Sequence, residues 1–297
     1  MTSEAPATAG LVARIHTLIG SLSPAEARVA GLIAENPAGT SQHTIEELAQ
    51  QASTSTATVV RTAKRLGYQG YPQLRLALAA QPTGQTRESS LAADVRDEDN
   101  PYTVLQKLTA FERDAIRATS ELADPAVLDT VVGLLTGARR IDVYGIGASG
   151  LVAMDLSQKL QRIGLYCMAH TEHDAGMVSA VLLGSDDVAI GISHTGTTPG
   201  TLLPLRRARN SGATAVALTG ASGSALAQDA EHTLLTAGRE LGFRSAAMAS
   251  RTSQLLIVDC LFVAVAQRTA SARDALMKTH DAISSAGDRR QMRKEDQ

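Results

Sequence analysis

Two short segments rich in glycine and hydroxyl side chains contain the residues best suited to chemistry in this sequence. They are GIGASG at 145–150 and SHTGTT at 193–198, and each lies between a strand-like run and a helix-like run. A helix that begins at such a turn offers backbone N–H groups and the positive end of its dipole to an anion. Hydroxyl groups add donors without adding charge. If their strands are neighbours, the two segments predict a pocket for a phosphoryl group and a small polyol.

The first segment also matches G-x-G-x-x-G after a strand, which is the fingerprint of dinucleotide sites. A nicotinamide site requires an acidic residue about 20 positions further on, at the end of the second strand. Glu172 and Asp174 lie somewhat later than that. A nicotinamide-dependent oxidoreductase is therefore only our third hypothesis. The alternative without any ligand is a pair of capped helix starts, with Ser149 and Thr198 among the capping residues.

A second group of residues, near the N-terminus, is suited to binding a polyanion. Between Leu48 and Arg87 the chain has five basic residues and no Asp or Glu, although its overall net charge is −2. Cations at such a surface neutralise phosphates and release counterions, and hydroxyls donate to phosphates or contact bases. The candidate DNA-binding residues are Ser53, Ser55, Thr56, Thr58, Arg61, Lys64 and Arg65.

Capping patterns predict the helices that position this basic group. Capping boxes open one helix at SPAE (23–26) and another, 44–51, at TIEE. A serine then caps the helix 55–66, which ends at Gly67. Two short helices joined by a tight turn form a helix-turn-helix, whose second helix lies in the major groove with its first residues at base edges. The alternative is an ordinary helical hairpin with a solvated basic face.

The C-terminal part has the alternating pattern of an α/β domain. Its predicted strands are RIDVYG (140–145), LYCMA (165–169), DVAIGIS (187–193), ATAVALT (213–219) and HTLLTA (232–237). Strands that alternate with helices predict a five-stranded parallel sheet with helices on both faces. The predicted organisation is an all-α helix-turn-helix domain at 1–80, a polar linker at 81–100, the α/β domain at 101–280 and a charged tail at 281–297.

Composition excludes several other classes of protein. The chain has no Trp and only 3% aromatic residues, which disfavours a stacking platform for single-stranded nucleic acid. Cys167 and Cys260 are too far apart in sequence for a metal-ligand pattern. The longest apolar run, 255–266, is too short to span a bilayer and contains Asp259. The N-terminus lacks the features of a signal peptide. We therefore expect a cytoplasmic protein with no membrane association, metal or cofactor.

At this point the residues resemble a known family. GIGASG and SHTGTT resemble the sugar isomerase (SIS) domain, and the segment from SPAEARVAGLIAENP to GYPQLRLALA resembles the N-terminal domain of RpiR-type (MurR/RpiR) regulators. The ending RSAAMASRTSQLLIVDCLFVAVA is similar to the same family, so the resemblance covers roughly 20–80 and 105–270. It implies a winged or simple helix-turn-helix, a flavodoxin-like SIS domain that binds a sugar phosphate, and a homodimer or homotetramer on palindromic operators.

The resemblance also assigns residues to the effector pocket. The S-x-S-G-x-T loop of the family falls on Ser193, Thr195 and Thr198, and its first-loop serine falls on Ser149. Thr197 stands where related sequences often have Glu, and Glu240 after the fifth strand contacts either the sugar or solvent. The same choice stays open for His173 and His194, which are near the predicted pocket. The candidate effector-binding residues are Gly147, Ser149, Ser193, Thr195, Gly196, Thr197, Thr198 and Glu240.

Together these observations predict a transcription regulator of sugar or amino-sugar metabolism whose operator binding is controlled by a phosphorylated sugar. The alternative is an aldose–ketose sugar-phosphate isomerase, which needs a base beside a carbonyl-adjacent proton. Glu240, His173 or His194 could serve as that base. The basic helical prefix has no role in such an enzyme, so we expect no enzymatic activity.

Overall fold

A computed structural model describes residues 11–79, 95–238 and 248–282. The chain divides into two compact units. The first consists of Met1–Ala123, Thr219–Ala227 and Leu235–Ser253, and the second of Asp124–Leu218, Gln228–Leu234 and Gln254–Gln297.

The described residues before residue 123 are mostly helical. The helical elements are α1 (Leu11–Leu18), a 3-10 turn (Ile19–Ser21), α2 (Pro24–Glu35), α3 (Pro37–Thr40), α4 (Ile45–Gln51), α5 (Thr56–Arg65), α6 (Tyr71–Ala79) and α7 (Pro101–Leu122). Both predicted capping boxes are confirmed, at Ser23 with Glu26 and at Thr44 with Glu47. In each box the hydroxyl accepts the third N–H of the helix, and the carboxylate accepts the N–H of the capping residue.

Helices α1, α2, α4, α5 and α6 share one apolar core. Its fully buried members include Leu11, Ile15, Val29, Ile33, Leu48, Val59, Leu66 and Leu74. Val59 and the C-cap residue Leu66 anchor α5, so one face of this helix is inside the core. Charged residues occupy other positions of α5, with Arg61, Lys64 and Arg65 all exposed.

The sheet has five strands in the order β2-β1-β3-β4-β5. They are β1 (Arg140–Gly145), β2 (Cys167–His170), β3 (Asp187–Ile192), β4 (Thr214–Thr219) and β5 (His232–Leu235). Strand β1 pairs in parallel with β2 and β3, and β3 pairs in parallel with β4. The predicted α/β class is confirmed, and the observed strand order is that of a flavodoxin-like sheet. Strand β2 begins two residues later than predicted because the N–H of Leu165 donates to Leu160 and closes the preceding helix.

The remaining helices alternate with these strands. They are α8 (Pro125–Gly137), α9 (Ala148–Arg162), α10 (His173–Ala180), α11 (Pro199–Asn210), α12 (Ala225–Asp229), α13 (Met248–Arg268) and α14 (Ala272–Ala282). The core of the second unit joins α8, α9 and α13 to the central strands through residues such as Leu135, Leu156, Ile190 and Leu261.

Of the helices in the described residues, none is by itself long and apolar enough to cross a membrane. Ser250–Arg268 and Ala272–Ala282 reach that threshold only as a pair, and the pair is bent by 114°.

Candidate functional site

The two hydroxyl-rich segments leave neighbouring strands at the same edge of the sheet. Gly145, the last residue of β1, is in register with Ile192, the last residue of β3. The start of α11, which follows the second segment, also lies close to the first segment, because a Cβ placed on Gly200 would lie 2.8 Å from Cγ1 of Ile146. The strands are therefore neighbours, as the sequence argument required for the two turns to meet.

Glycines allow the first segment to turn sharply from β1 into α9. A Cβ on Gly145 would lie 2.5 Å from the carbonyl oxygen of Ser149, so no larger residue fits there. Gly147 has φ of 61°, in the left-handed region that favours glycine, and it is the N-cap of α9. Among the described side chains, none caps this helix. Its first N–H groups therefore have no side-chain cap and remain suited to an anion.

The second segment is ordered by its own hydroxyl groups. Ser193, which is 2% exposed, accepts the N–H of Gly196 at 3.1 Å and pairs with the hydroxyl of Thr198, also at 3.1 Å. At the exposed rim, the hydroxyls of Thr195 and Thr197 lie 3.0 Å apart. Thr198 is the N-cap of α11, yet within the described part of the chain its side chain makes no capping bond. The segment therefore presents hydroxyls beside a second helix N-terminus.

Other predicted residues have different positions. Ser149 is half-buried, and its hydroxyl donates to Oε1 of Gln254 at 3.3 Å. Cβ of His173 lies 3.9 Å from the position of a Cβ on Gly200, so this exposed histidine is near the start of α11. His194 follows Ser193 and is half-buried. Glu240 lies outside the described residues.

Sequence analysis missed Gln254. This residue is only 1% exposed although it lies in the apolar part of α13. A polar amide inside an apolar helical run is the signal that could have identified it, because buried amides normally have a specific partner. Within residues 11–79, 95–238 and 248–282, no group of three or more His, Cys, Asp and Glu side chains could hold a metal ion.

Sequence analysis also missed a buried polar network on β1. Asp142 is fully buried and accepts hydrogen bonds from Arg140 at 2.8 Å and from Ser179 at 2.5 Å. His170 on the adjacent strand lies 3.1 Å from the same carboxylate and stacks on Tyr144. Burial raises the pKa of Asp142, but the hydrogen bonds from His170, Arg140 and Ser179 outweigh it and lower the pKa from 3.8 to about 2.

In the helix-turn-helix, α4 and α5 are joined by a tight turn. Ser55 caps α5, since its hydroxyl accepts the N–H of Thr58 at 3.3 Å. Ser53 in the turn has φ of 49°, and its carbonyl accepts a hydrogen bond from Arg28 of α2 at 3.1 Å. Ser53, Ser55 and Thr56 are exposed at the start of the helix.

One predicted DNA contact is corrected. Thr58 is 3% exposed, so it is not on the accessible face of α5. Its hydroxyl pairs with Ser55 and accepts a bond from Nη2 of Arg61, at 3.1 Å in each case. Thr58 lies one helical turn before Arg61 and packs towards the core. From there its hydroxyl orients the Arg61 guanidinium. Arg65 donates from Nη2 to the carbonyl of Ser21 at 2.8 Å.

Two family models match the parts of the chain that contain these candidate sites. A family model described as the helix-turn-helix domain of the rpiR family matches residues 9–83, and the SIS domain model matches residues 134–264. An uncharacterized HTH-type transcriptional regulator of Caldanaerobacter subterraneus is 36% identical over 258 residues, which is 87% of this chain and 91% of the relative. The chain belongs to the RpiR family of transcriptional regulators.

Further relatives of this RpiR-family regulator agree in sequence and fold. An HTH-type regulator of Haemophilus influenzae is 31% identical, over 86% of this chain and 89% of its own. The structure of Vibrio vulnificus NanR complexed with ManNAc-6P has a TM-score of 0.59 and 26% identity, over 93% of this chain and 98% of NanR. The sugar isomerase domain of an RpiR transcription factor from Sphaerobacter thermophilus is 24% identical and has a TM-score of 0.55. The match covers 60% of this chain and 98% of that domain, and it shows similarity of fold alone.

Proposed function

We propose that this RpiR-family regulator binds double-stranded operator DNA through α4 and α5, and that a phosphorylated sugar bound between segments 145–150 and 193–198 controls that binding. The observation that carries this proposal is the pair of helix N-termini at adjacent strand ends, next to the hydroxyls of Ser193 and Thr198. Two helix dipoles and several neutral donors favour a dianion over a neutral ligand.

The burial of each side chain suggests its role in the proposed pocket. Ser149, Ser193 and Thr198, with the turns at Gly147 and Gly196, hold the phosphoryl group. Thr195 and Thr197 are exposed at the rim and contact sugar hydroxyls. Because the NanR structure is that of a complex with ManNAc-6P, amino-sugar phosphates are the first ligands to test. Glu240 stays a prediction.

On the DNA side, we propose that the exposed residues of the turn and α5 contact the operator, namely Ser53, Ser55, Thr56, Arg61, Lys64 and Arg65. The regulator acts as a homodimer or homotetramer on a palindromic site in the cytoplasm. Dimer half-sites then lie about one helical turn, or a multiple, apart.

We further propose that the chain does not isomerise its ligand. The support is that relatives matching nearly the whole chain are named transcriptional regulators. Measuring isomerisation of a phosphosugar panel and operator shifts on one preparation separates the two functions. Turnover of any phosphosugar would contradict this part of the proposal.

Replacement of the second-segment threonine tests the pocket. Thr198→Ala removes a hydroxyl that pairs with Ser193, and a hydrogen bond to a charged group contributes about 1.5–3 kcal/mol. We expect the variant to lose the effector response in gel shifts while it still binds the operator. Thr130→Ala on the exposed face of α8 is the matched control. An unchanged ligand response in Thr198→Ala would contradict the pocket.

A further inference from the structure

Gln254 has a buried amide of which one half is unpaired. The side chain is 1% exposed, and its Oε1 accepts the hydroxyl of Ser149 at 3.3 Å. Its Nε2 is buried and, within the part of the chain that the structure describes, has no hydrogen-bond partner. Buried N–H groups without a partner are rare because their desolvation is not compensated. The unpaired donor lies on the group that contacts Ser149, at the start of α9.

The amide can occupy the same space in two orientations. A turn of 180° about the last side-chain bond exchanges Oε1 and Nε2, so that Nε2 donates to Ser149 instead of Oε1 accepting from it. The unpaired group is then a carbonyl oxygen, which native proteins tolerate more readily than an unpaired N–H. Which orientation prevails depends on where Ser149 directs its single proton.

An anion at the pocket decides that direction. An ionised phosphoryl oxygen only accepts hydrogen bonds, so Ser149 must donate its proton to such an oxygen. The oxygen of Ser149 is then free to accept, and Gln254 is the group beside it that can donate. The result is a chain of bonds from Nε2 through Ser149 to the anion. Hydrogen bonds in such chains strengthen one another.

We propose that Gln254 is a positioning residue of the effector pocket. By turning its amide, it allows Ser149 to donate its proton to a phosphoryl group instead of to Oε1 of Gln254. This inference rests on the proposed function. It makes anion affinity depend on a residue of α13 that does not itself need to touch the ligand.

Variants of Gln254 test this by thermal-shift titration with ManNAc-6P and with inorganic phosphate. Gln254→Glu keeps the shape but at neutral pH can only accept, so Ser149 stays directed away from the anion. We expect its affinity to fall on the order of 10- to 100-fold. Lowering the pH protonates the introduced carboxyl and restores a donor. The affinity of Gln254→Glu relative to that of wild type should therefore recover between about pH 8 and pH 5.5. Gln158→Glu on the exposed face of α9 adds the same charge and should bind both probes with the affinity of wild type.

The uncharged variant covers the case in which Gln254→Glu does not fold. Gln254→Met keeps the length of the side chain without any donor, and we expect a loss on the order of tenfold at every pH. Introducing Gln254→Met into a Ser149→Ala variant separates a positioning role of Gln254 from its contribution to packing. If Gln254 acts through Ser149, the second loss falls to about twofold or less.

The outcomes are distinguishable. If wild type binds neither probe, the proposed function fails together with this inference. If wild type binds but Gln254→Met binds equally well, or loses the same affinity with and without the Ser149 hydroxyl, only the positioning role of Gln254 is overturned.

Discussion

At the scale of single residues, the carboxylate of Asp142 shows how a buried charge is retained. Burial alone would favour the neutral acid, but Arg140, Ser179 and His170 supply enough hydrogen bonds to keep the pKa at about 2. Compared with the ordinary value of 3.8, this shift corresponds to about 2 kcal/mol of stability that the ionised form contributes. The network therefore stabilises β1 immediately before the first segment.

The linkage sets the pH range of this contribution. Because the folded pKa is lowered, the stability is fully present above about pH 4 and is lost as the pH falls towards 2. We expect Asp142→Asn to lower the free energy of unfolding at pH 7 by about 3 kcal/mol, because Arg140 loses its buried partner. The free energy of unfolding of the variant should also fall less steeply with decreasing pH than that of wild type. Urea unfolding followed by circular dichroism between pH 2 and pH 7 measures both.

The exposed Asp129→Asn serves as the control. An Asp142→Asn variant whose stability falls with acid as steeply as that of wild type would show that the carboxylate is not the titrating group.

At the scale of elements, helix α5 has one face in the core and one in solvent. Val59 and Thr58 are buried, whereas Arg61, Lys64 and Arg65 are exposed. The hydroxyl of Thr58 orients the guanidinium of Arg61, which reduces the freedom that this side chain would lose on binding. Arg61 is thus partly oriented before it contacts DNA.

We expect Arg61→Ala to weaken operator binding on the order of tenfold, since it removes a cationic contact. If the contact is to a phosphate, the slope of log affinity against log salt also falls by about 1. Fluorescence anisotropy at several salt concentrations measures both quantities. Arg162→Ala at the end of α9 removes an equal charge and should bind like wild type. Equal affinities of Arg61→Ala and wild type at every salt concentration would refute the groove assignment.

At the scale of the whole molecule, the first unit joins the helix-turn-helix to the loop that follows β4. The N–H and hydroxyl of Ser222 both donate to the carbonyl of Thr17 in α1, at 3.2 and 3.3 Å. Ser21, which follows α1, accepts a bond from Arg65 of α5. These contacts, all within the first unit, therefore connect the end of α5 to the loop 220–224.

A single methyl group tests whether this connection carries the effector signal. A Cβ on Gly223 would lie 2.4 Å from Cβ of Ser21, so Gly223→Ala must displace the contact. We expect the ratio of operator affinities with and without effector to move towards one, from the roughly 5- to 150-fold typical of such coupling. Gly20→Ala is the matched control, because a Cβ there meets nothing within 4 Å. A full effector response in Gly223→Ala would exclude this route.

Much of the molecule follows from local sequence. Both capping boxes, the strand β1 and the start of the second helix of the helix-turn-helix were predicted within a residue or two. Caps and hydrophobic periods depend on residues that are neighbours in the sequence. The same holds for the two hydroxyl-rich turns, since a strand, a glycine and a helix start are adjacent in the chain. The domain boundaries and the role of Glu240 stay predictions.

Tertiary structure alone decided which distant residues meet. The bond between Ser149 and Gln254 joins positions 105 residues apart, and Asp142 receives partners from β2 and α10. Thr58 was predicted to be a DNA contact but is buried, since helical spacing alone does not say which hydroxyl faces the core. Such encounters depend on the packing of whole elements, because a buried polar group takes whichever partner the folded chain brings within hydrogen-bond distance.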